Sequence, residues 1–114
     1  MTAKKIAVTF FATEGGKEPV HEWLLSLSHQ DQKRIGDDLR TVEFGWPIGM
    51  PVCRPLGKGL YEVRTNLTDR IARVLFTIED ADMVLLHGFI KKSQTTPVTD
   101  LELARARLRN LKQR

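Results

Sequence analysis

Three apolar runs separated by two short polar turns, all between Leu60 and Lys92, constrain this chain more than any other feature. The stretch reads Leu-Tyr-Glu-Val-Arg, a polar turn over Thr65 to Asp69, Arg-Ile-Ala-Arg-Val-Leu-Phe-Thr-Ile, an acidic turn over Glu79 to Asp82, and Met-Val-Leu-Leu-His-Gly-Phe-Ile-Lys-Lys. Turns this short join antiparallel neighbours, so the runs most economically form one three-stranded meander. A side-chain period of two then sorts the charges. Glu62 and Arg64 share one face of the first strand, and on the second Arg73 lies opposite the face of Ala72, Val74, Phe76 and Ile78. A basic residue inside an apolar strand needs a partner or a task, because an unpaired charge is costly to bury.

With 114 residues the chain is expected to form one domain around a single modest core. No apolar run approaches the roughly 20 residues of a membrane-spanning helix. The opening Met-Thr-Ala-Lys-Lys, followed by a short apolar run, lacks a signal-peptide pattern, so a cytoplasmic location is expected. Cys53 is the lone cysteine, which excludes an internal disulfide and a multi-cysteine zinc site. The net charge of +4 is unevenly spread: residues 1–50 carry a balance of −1 and residues 51–114 a balance of +5. A basic half suits a polyanionic partner, whether RNA, DNA or an acidic protein, and charge does not choose among them.

Before the meander, Lys5 to Phe11 is β-branched and aromatic and runs into Glu14-Gly15-Gly16, which predicts a first strand ending in a turn and pairing with the meander. Pro19 suits a first helical position, and Val20, Trp23, Leu24 and Leu27 recur at helical spacing, so a short helix is expected from about Glu18 to Leu27. His21 beside that stripe is read as a surface histidine. Ser28, with Asp31 three residues on, marks a second helix start. Ile35, Leu39 and Val42 mark its buried face, and Pro47 lies beyond its end, giving a helix from about Gln30 to Phe44. Gly45 to Gly59, with four Gly and three Pro, is read as a loop. Its Arg54, Lys58 and Gly57-Lys58-Gly59 tripeptide could approach a phosphate. After the meander and a polar connector from Ser93 to Pro97, Thr99 and Glu102 form a capping-box pattern. It opens a last helix with a stripe of Leu101, Ala104, Leu108 and Leu111. The arginines around that stripe are read as solubility charges with some reach toward nucleic acid.

A set of Arg64, Arg73, Lys91 and Lys92 on strands and strand ends would be held in place by backbone pairing. Preorganised cations of this kind stabilise charge that develops on the non-bridging oxygens of a phosphate in reaction. RNA supplies its own nucleophile, so a protein that aligns a 2′-hydroxyl with the adjacent phosphate needs positioning and charge, with no metal or cofactor. Tyr61 is read mainly as a packing residue that could also stack on a base. His87, inside an apolar run, is read mainly as a satisfied histidine.

The segments Leu-Gly-Lys-Gly-Leu-Tyr-Glu-Val-Arg at 56–64, Arg-Ile-Ala-Arg-Val-Leu-Phe at 70–76 and Leu-Leu-His-Gly-Phe-Ile-Lys-Lys-Ser-Gln-Thr-Thr-Pro at 85–97 carry a wider resemblance. With Pro-Val-His-Glu-Trp-Leu at 19–24 and Trp-Pro-Ile-Gly at 46–49, they make the chain resemble the RelE/ParE superfamily of type II toxins, most of all its phage-derived, HigB-like branch. The resemblance implies an α+β fold in the order β-α-α-β-β-β-α, a curved antiparallel sheet of about four strands with helices on one side. It implies a ribosome-dependent endoribonuclease that cuts messenger RNA and leaves a 2′,3′-cyclic end. Carried over, Arg64, Arg73, Lys91 and Lys92 hold the scissile phosphate and Glu62 is a general base or a salt-bridge partner; Tyr61, Lys58 and Arg54 are the RNA contacts expected from the residues themselves. It also implies a cognate antitoxin, of helix-turn-helix DNA-binding type, that masks this face. The alternative is a ParE-like inhibitor of DNA gyrase, or a basic binding module without catalysis, since the superfamily shares its fold across both activities.

Overall fold

The computed structural model describes residues 3–49, 51–91 and 96–114. Strand β1 (Ala7–Phe10) leads into helices α1 (Pro19–Leu25) and α2 (His29–Gly45). Strands β2 (Cys53–Gly57), β3 (Leu60–Leu67), β4 (Arg70–Glu79) and β5 (Asp82–Lys91) follow as consecutive hairpins, and then helix α3 (Val98–Lys112). The sheet order is β1-β5-β4-β3-β2. The two helices carry the chain from one sheet edge to the other, and the hairpins return it until β5 lies beside β1. Because of that crossover the two are parallel, with Ala7 facing Asp82 and Phe10 facing Leu85.

The α+β class and the element order agree with the sequence, with three corrections. The sheet has five strands and is mixed, not four and antiparallel, because Cys53–Gly57 pairs with β3 instead of forming a loop. Its proline is tolerated because β2 is an edge strand, where a missing N–H need not leave a ladder bond unmade. Residues Thr65 to Leu67 belong to β3, since Thr65 and Leu67 are both buried. The Thr99–Glu102 capping box does not form: α3 starts at Val98, behind Pro97, with no side-chain cap. By contrast, Ser28 Oγ accepts the Asp31 amide at 3.1 Å, and α2 begins there as expected.

The helices divide between the two faces, where the resemblance put them on one side. On the first face Val20, Ile35, Leu39 and Val42 of α1 and α2 pack on Val63, Val74, Phe76 and Leu85. On the second, Ala104 and Leu108 of α3 pack on Leu60, Leu75, Leu86 and Phe89. Each fully buried side chain of this size contributes about 1.5–3 kcal/mol, so both faces are needed to hold a sheet this small together. Among the described residues no helix is long and apolar enough to cross a membrane.

One irregularity changes which side chains share a face. Phe76 pairs with Leu85 but Leu75 pairs with His87, so Leu86 is an extra residue in β5. A bulge of this kind resets the phase of the strand. Met83 and Leu85 face α1 and α2, whereas His87 and Phe89, beyond the bulge, face α3.

Candidate functional site

The pairing registers set the polar residues of the α3 face in rows across the sheet. One row runs Arg54, Glu62, Leu75, His87 from β2 to β5, and the next runs Arg64, Arg73, Phe89 from β3 to β5. Lys91 opposes Ile71 one row further along and is exposed. Arg64 and Arg73 are therefore direct cross-strand partners, a like-charge pairing that is destabilising unless compensated.

Glu62 supplies the compensation. Its carboxylate, 0% exposed, lies 3.5 Å from Arg73 Nη1, 3.6 Å from Arg54 Nη2 and 3.9 Å from Arg64 Nε. Thr96, just ahead of α3, donates its hydroxyl to Glu62 Oε2 and accepts from Arg73 Nη1 at 3.2 Å and from Arg54 Nη2 at 3.4 Å. Three guanidiniums against one carboxylate leave the cluster at +2. Arg73 is also 0% exposed, and that burial pulls its guanidinium below the ordinary value. Glu62 opposes the shift, while Arg64 and Arg54 reinforce it. Arg54 Nε is buried without a hydrogen-bond partner among the described residues, a donor of the kind that an anionic group satisfies.

Of the residues expected from the sequence, Arg64, Arg73, Glu62 and Arg54 come together. Arg54 is a member of the cluster. Lys91 stands on the same face at its rim, and Lys92 lies outside the described residues. Tyr61 stands apart from the cluster. It lies on the other face, stacked on Phe76 at 5.5 Å and edge-on to Trp46 at 5.0 Å. Lys58 sits in the β2–β3 turn, where it and Gly59 both take the positive φ that a tight hairpin requires, and it lines a separate groove with Arg105, Arg109 and Lys112.

Arg105 and Arg107 of α3 and Arg114 just beyond its end are structural, which corrects their reading as solubility charges. Arg105 donates to Leu56 O at 2.9 Å, Arg107 to Leu86 O at 2.8 Å and Arg114 to Ala12 O at 2.7 Å. The sequence also hid two participants. Thr96 joins the cluster from 34 residues beyond Glu62, and Asp100 Oδ1 meets His87 Nε2 at 2.6 Å. Neither had a local signal, since both contacts depend on where α3 docks. Among the described residues no group of three or more His, Cys, Asp and Glu is arranged to hold a metal ion.

The architecture is thus a mixed five-stranded sheet between two helical layers, with a buried arginine cluster on the α3 face. Residues 22–109 match the family described as Phage derived protein Gp49-like (DUF891). The chain belongs to that family, one of RelE/HigB-type toxins. Among solved structures, it is similar to a chain of the archaeal RelE-RelB complex from Pyrococcus horikoshii OT3. That alignment has 17% identity, covers 83% of this chain and 100% of the other, and has a TM-score of 0.48. No curated protein gives a significant match.

Proposed function

We propose that this toxin is the effector of a type II toxin-antitoxin pair and acts as an endoribonuclease on messenger RNA held by the ribosome. The observation that carries the reading is the convergence of Arg54, Arg64 and Arg73 from three adjacent strands on the single carboxylate of Glu62. The buried part of this set, Arg73 with Glu62 and Thr96, is a frame. It holds Arg64, with its side chain 19% exposed, and Arg54, 35% exposed, at the surface of the face whose far rim carries Lys91. Fixed cations placed this way meet the charge that develops as a 2′-hydroxyl attacks its neighbouring phosphate. Glu62 has no exposed surface through which a substrate hydroxyl could reach it, so in this reading it positions the arginines and takes no proton.

A cognate antitoxin belongs to the same reading. Following the sequence resemblance, it is a helix-turn-helix protein that covers the basic face. Induction of the chain without antitoxin is expected to stop translation, and primer extension on ribosome-engaged message is expected to show new ends. Arg64→Ala should reduce cleavage about 10²–10³-fold, the usual effect of removing one preorganised charge donor, while leaving the fold intact. Intact message with continuing translation would overturn the proposal, and DNA damage with intact message would point to gyrase as the target.

A further inference from the structure

Strict alternation from Met83 and Leu85 would place His87 against α1 and α2, whereas the extra residue Leu86 turns it to the face of Glu62 and Arg73. There it ends the row of Arg54, Glu62 and Leu75. It is also the diagonal neighbour of Arg73, a relation that spans roughly 7–8 Å. Two contacts hold the ring. Nε2 lies 2.6 Å from Asp100 Oδ1, and the ring stacks on Phe89 with centroids 5.4 Å apart and planes at 25°. The His87 side chain is 15% exposed and that of Asp100 19%, so the pair lies at the rim of the cluster and is not sealed beneath it. A carboxylate on one ring nitrogen fixes the tautomer and orients the other nitrogen, here Nδ1, for proton transfer.

Building on the endoribonuclease reading, we propose that His87 is the general base of the cleavage and that Asp100 is the residue that positions it. Nδ1 takes the proton of the 2′-hydroxyl, the 2′-oxygen bonds to phosphorus, and the bond from phosphorus to O5′ breaks. O5′ takes a proton from water, giving a 2′,3′-cyclic phosphate and a 5′-hydroxyl with no change of oxidation state. The imidazolium formed beside Asp100 then returns its proton to solvent. The charged groups around His87 are Asp100 of α3, which meets its ring, Arg107 of α3, which bonds the carbonyl of Leu86, Arg73, its diagonal neighbour on β4, and Lys91 further along its own strand. Helices α1 and α2 pack on the other face and present none.

The test is single-turnover cleavage of message on programmed ribosomes by the full chain, with wild type and Arg64→Ala as controls and a message carrying a 2′-deoxy scissile nucleotide to measure binding. His87→Gln keeps an amide that can donate to Asp100 but accepts no proton. It is expected to lose about 10²–10⁴-fold in rate, to bind the deoxy message as wild type does, to melt at the wild-type temperature, and to lack the acidic limb of the pH–rate profile. Asp100→Asn is expected to lose about tenfold or more in kcat with KM unchanged, and it decides the question should His87→Gln melt below the assay temperature. Cleavage by His87→Gln within about threefold of wild type, or an acidic limb that survives in it, would overturn the role of His87 while leaving the nuclease intact. Uncut message with wild type would instead remove the nuclease reading and this role with it.

Discussion

Arg73 has no contact with solvent, yet it sits at the centre of a charged cluster, and its substitution tests whether the cluster is also part of the fold. Replacing it leaves Glu62 buried with one partner fewer, so Arg73→Ala is expected to cost about 3–5 kcal/mol, measured as a shift of the urea midpoint. An unchanged midpoint would show that the buried charge is dispensable. Gly88 is a second sensitive residue. A Cβ there would lie 2.4 Å from ring atoms of Trp23, which packs on β5 from α1. Gly88→Ala should therefore destabilise by about 1–3 kcal/mol, seen in thermal melting, because a strand and an indole must separate. Cys53 is the third. Burial first, and Glu62 second, push its thiol up to about 11 from the ordinary 9.0. The folded thiol thus keeps its proton where the unfolded one has lost it, so its contribution to stability falls as pH rises from 9.0 to about 11. At pH ~8 iodoacetamide should label Cys53 in urea and spare it in the native protein. None of these three could be read from local sequence, because each depends on a neighbour far along the chain.

At the scale of elements, what was legible followed from how local each signal is. Helix α2 starts at its Ser28 cap and buries Ile35, Leu39 and Val42, since both features are written within one helical turn of themselves. The β3–β4 and β4–β5 hairpins were legible for the same reason. β2 was not, because the prolines and glycines of residues 45–59 argue for a loop and only pairing with β3 makes Cys53–Gly57 a strand. The α3 arginines were misread because sequence shows a charge but not the carbonyl it meets. Arg107 is partly buried, its guanidinium pulled below its ordinary value by that burial, and it bonds the carbonyl of the bulge residue Leu86. Arg107→Ala is expected to cost about 1.5–3 kcal/mol by loosening α3 from β5. Lys33→Ala, which breaks an exposed pair with Asp37 at 2.9 Å, should cost no more than about 0.5 kcal/mol. Equal melting temperatures for the two variants would show that the α3 arginines are surface charges after all.

For the whole molecule, charge and topology act together. The +5 balance of residues 51–114 sits on the strands and helix that build the α3 face. If Arg54, Arg64, Lys91 and Lys58 each neutralise a phosphate of bound RNA, the affinity should fall about fifty-fold between 50 and 200 mM salt, from a slope of roughly −0.7 per contact. Filter binding with Lys91→Ala should show that slope reduced by about one contact, and a slope unaffected by the variant would place the RNA elsewhere. What the amino-acid order determined by itself was the α+β class, the meander, the Ser28 cap of α2 and the presence of cations inside strands, because periodicity and turn chemistry act over a few residues. Only the tertiary structure decided that the helices sandwich the sheet, that Cys53–Gly57 is its fifth strand, and that Arg54 and Thr96 join Glu62. It alone decided that His87 turns toward Asp100 and that Tyr61 turns away. These depend on register, a one-residue bulge and the docking of α3, which bring together residues up to 42 positions apart in the chain.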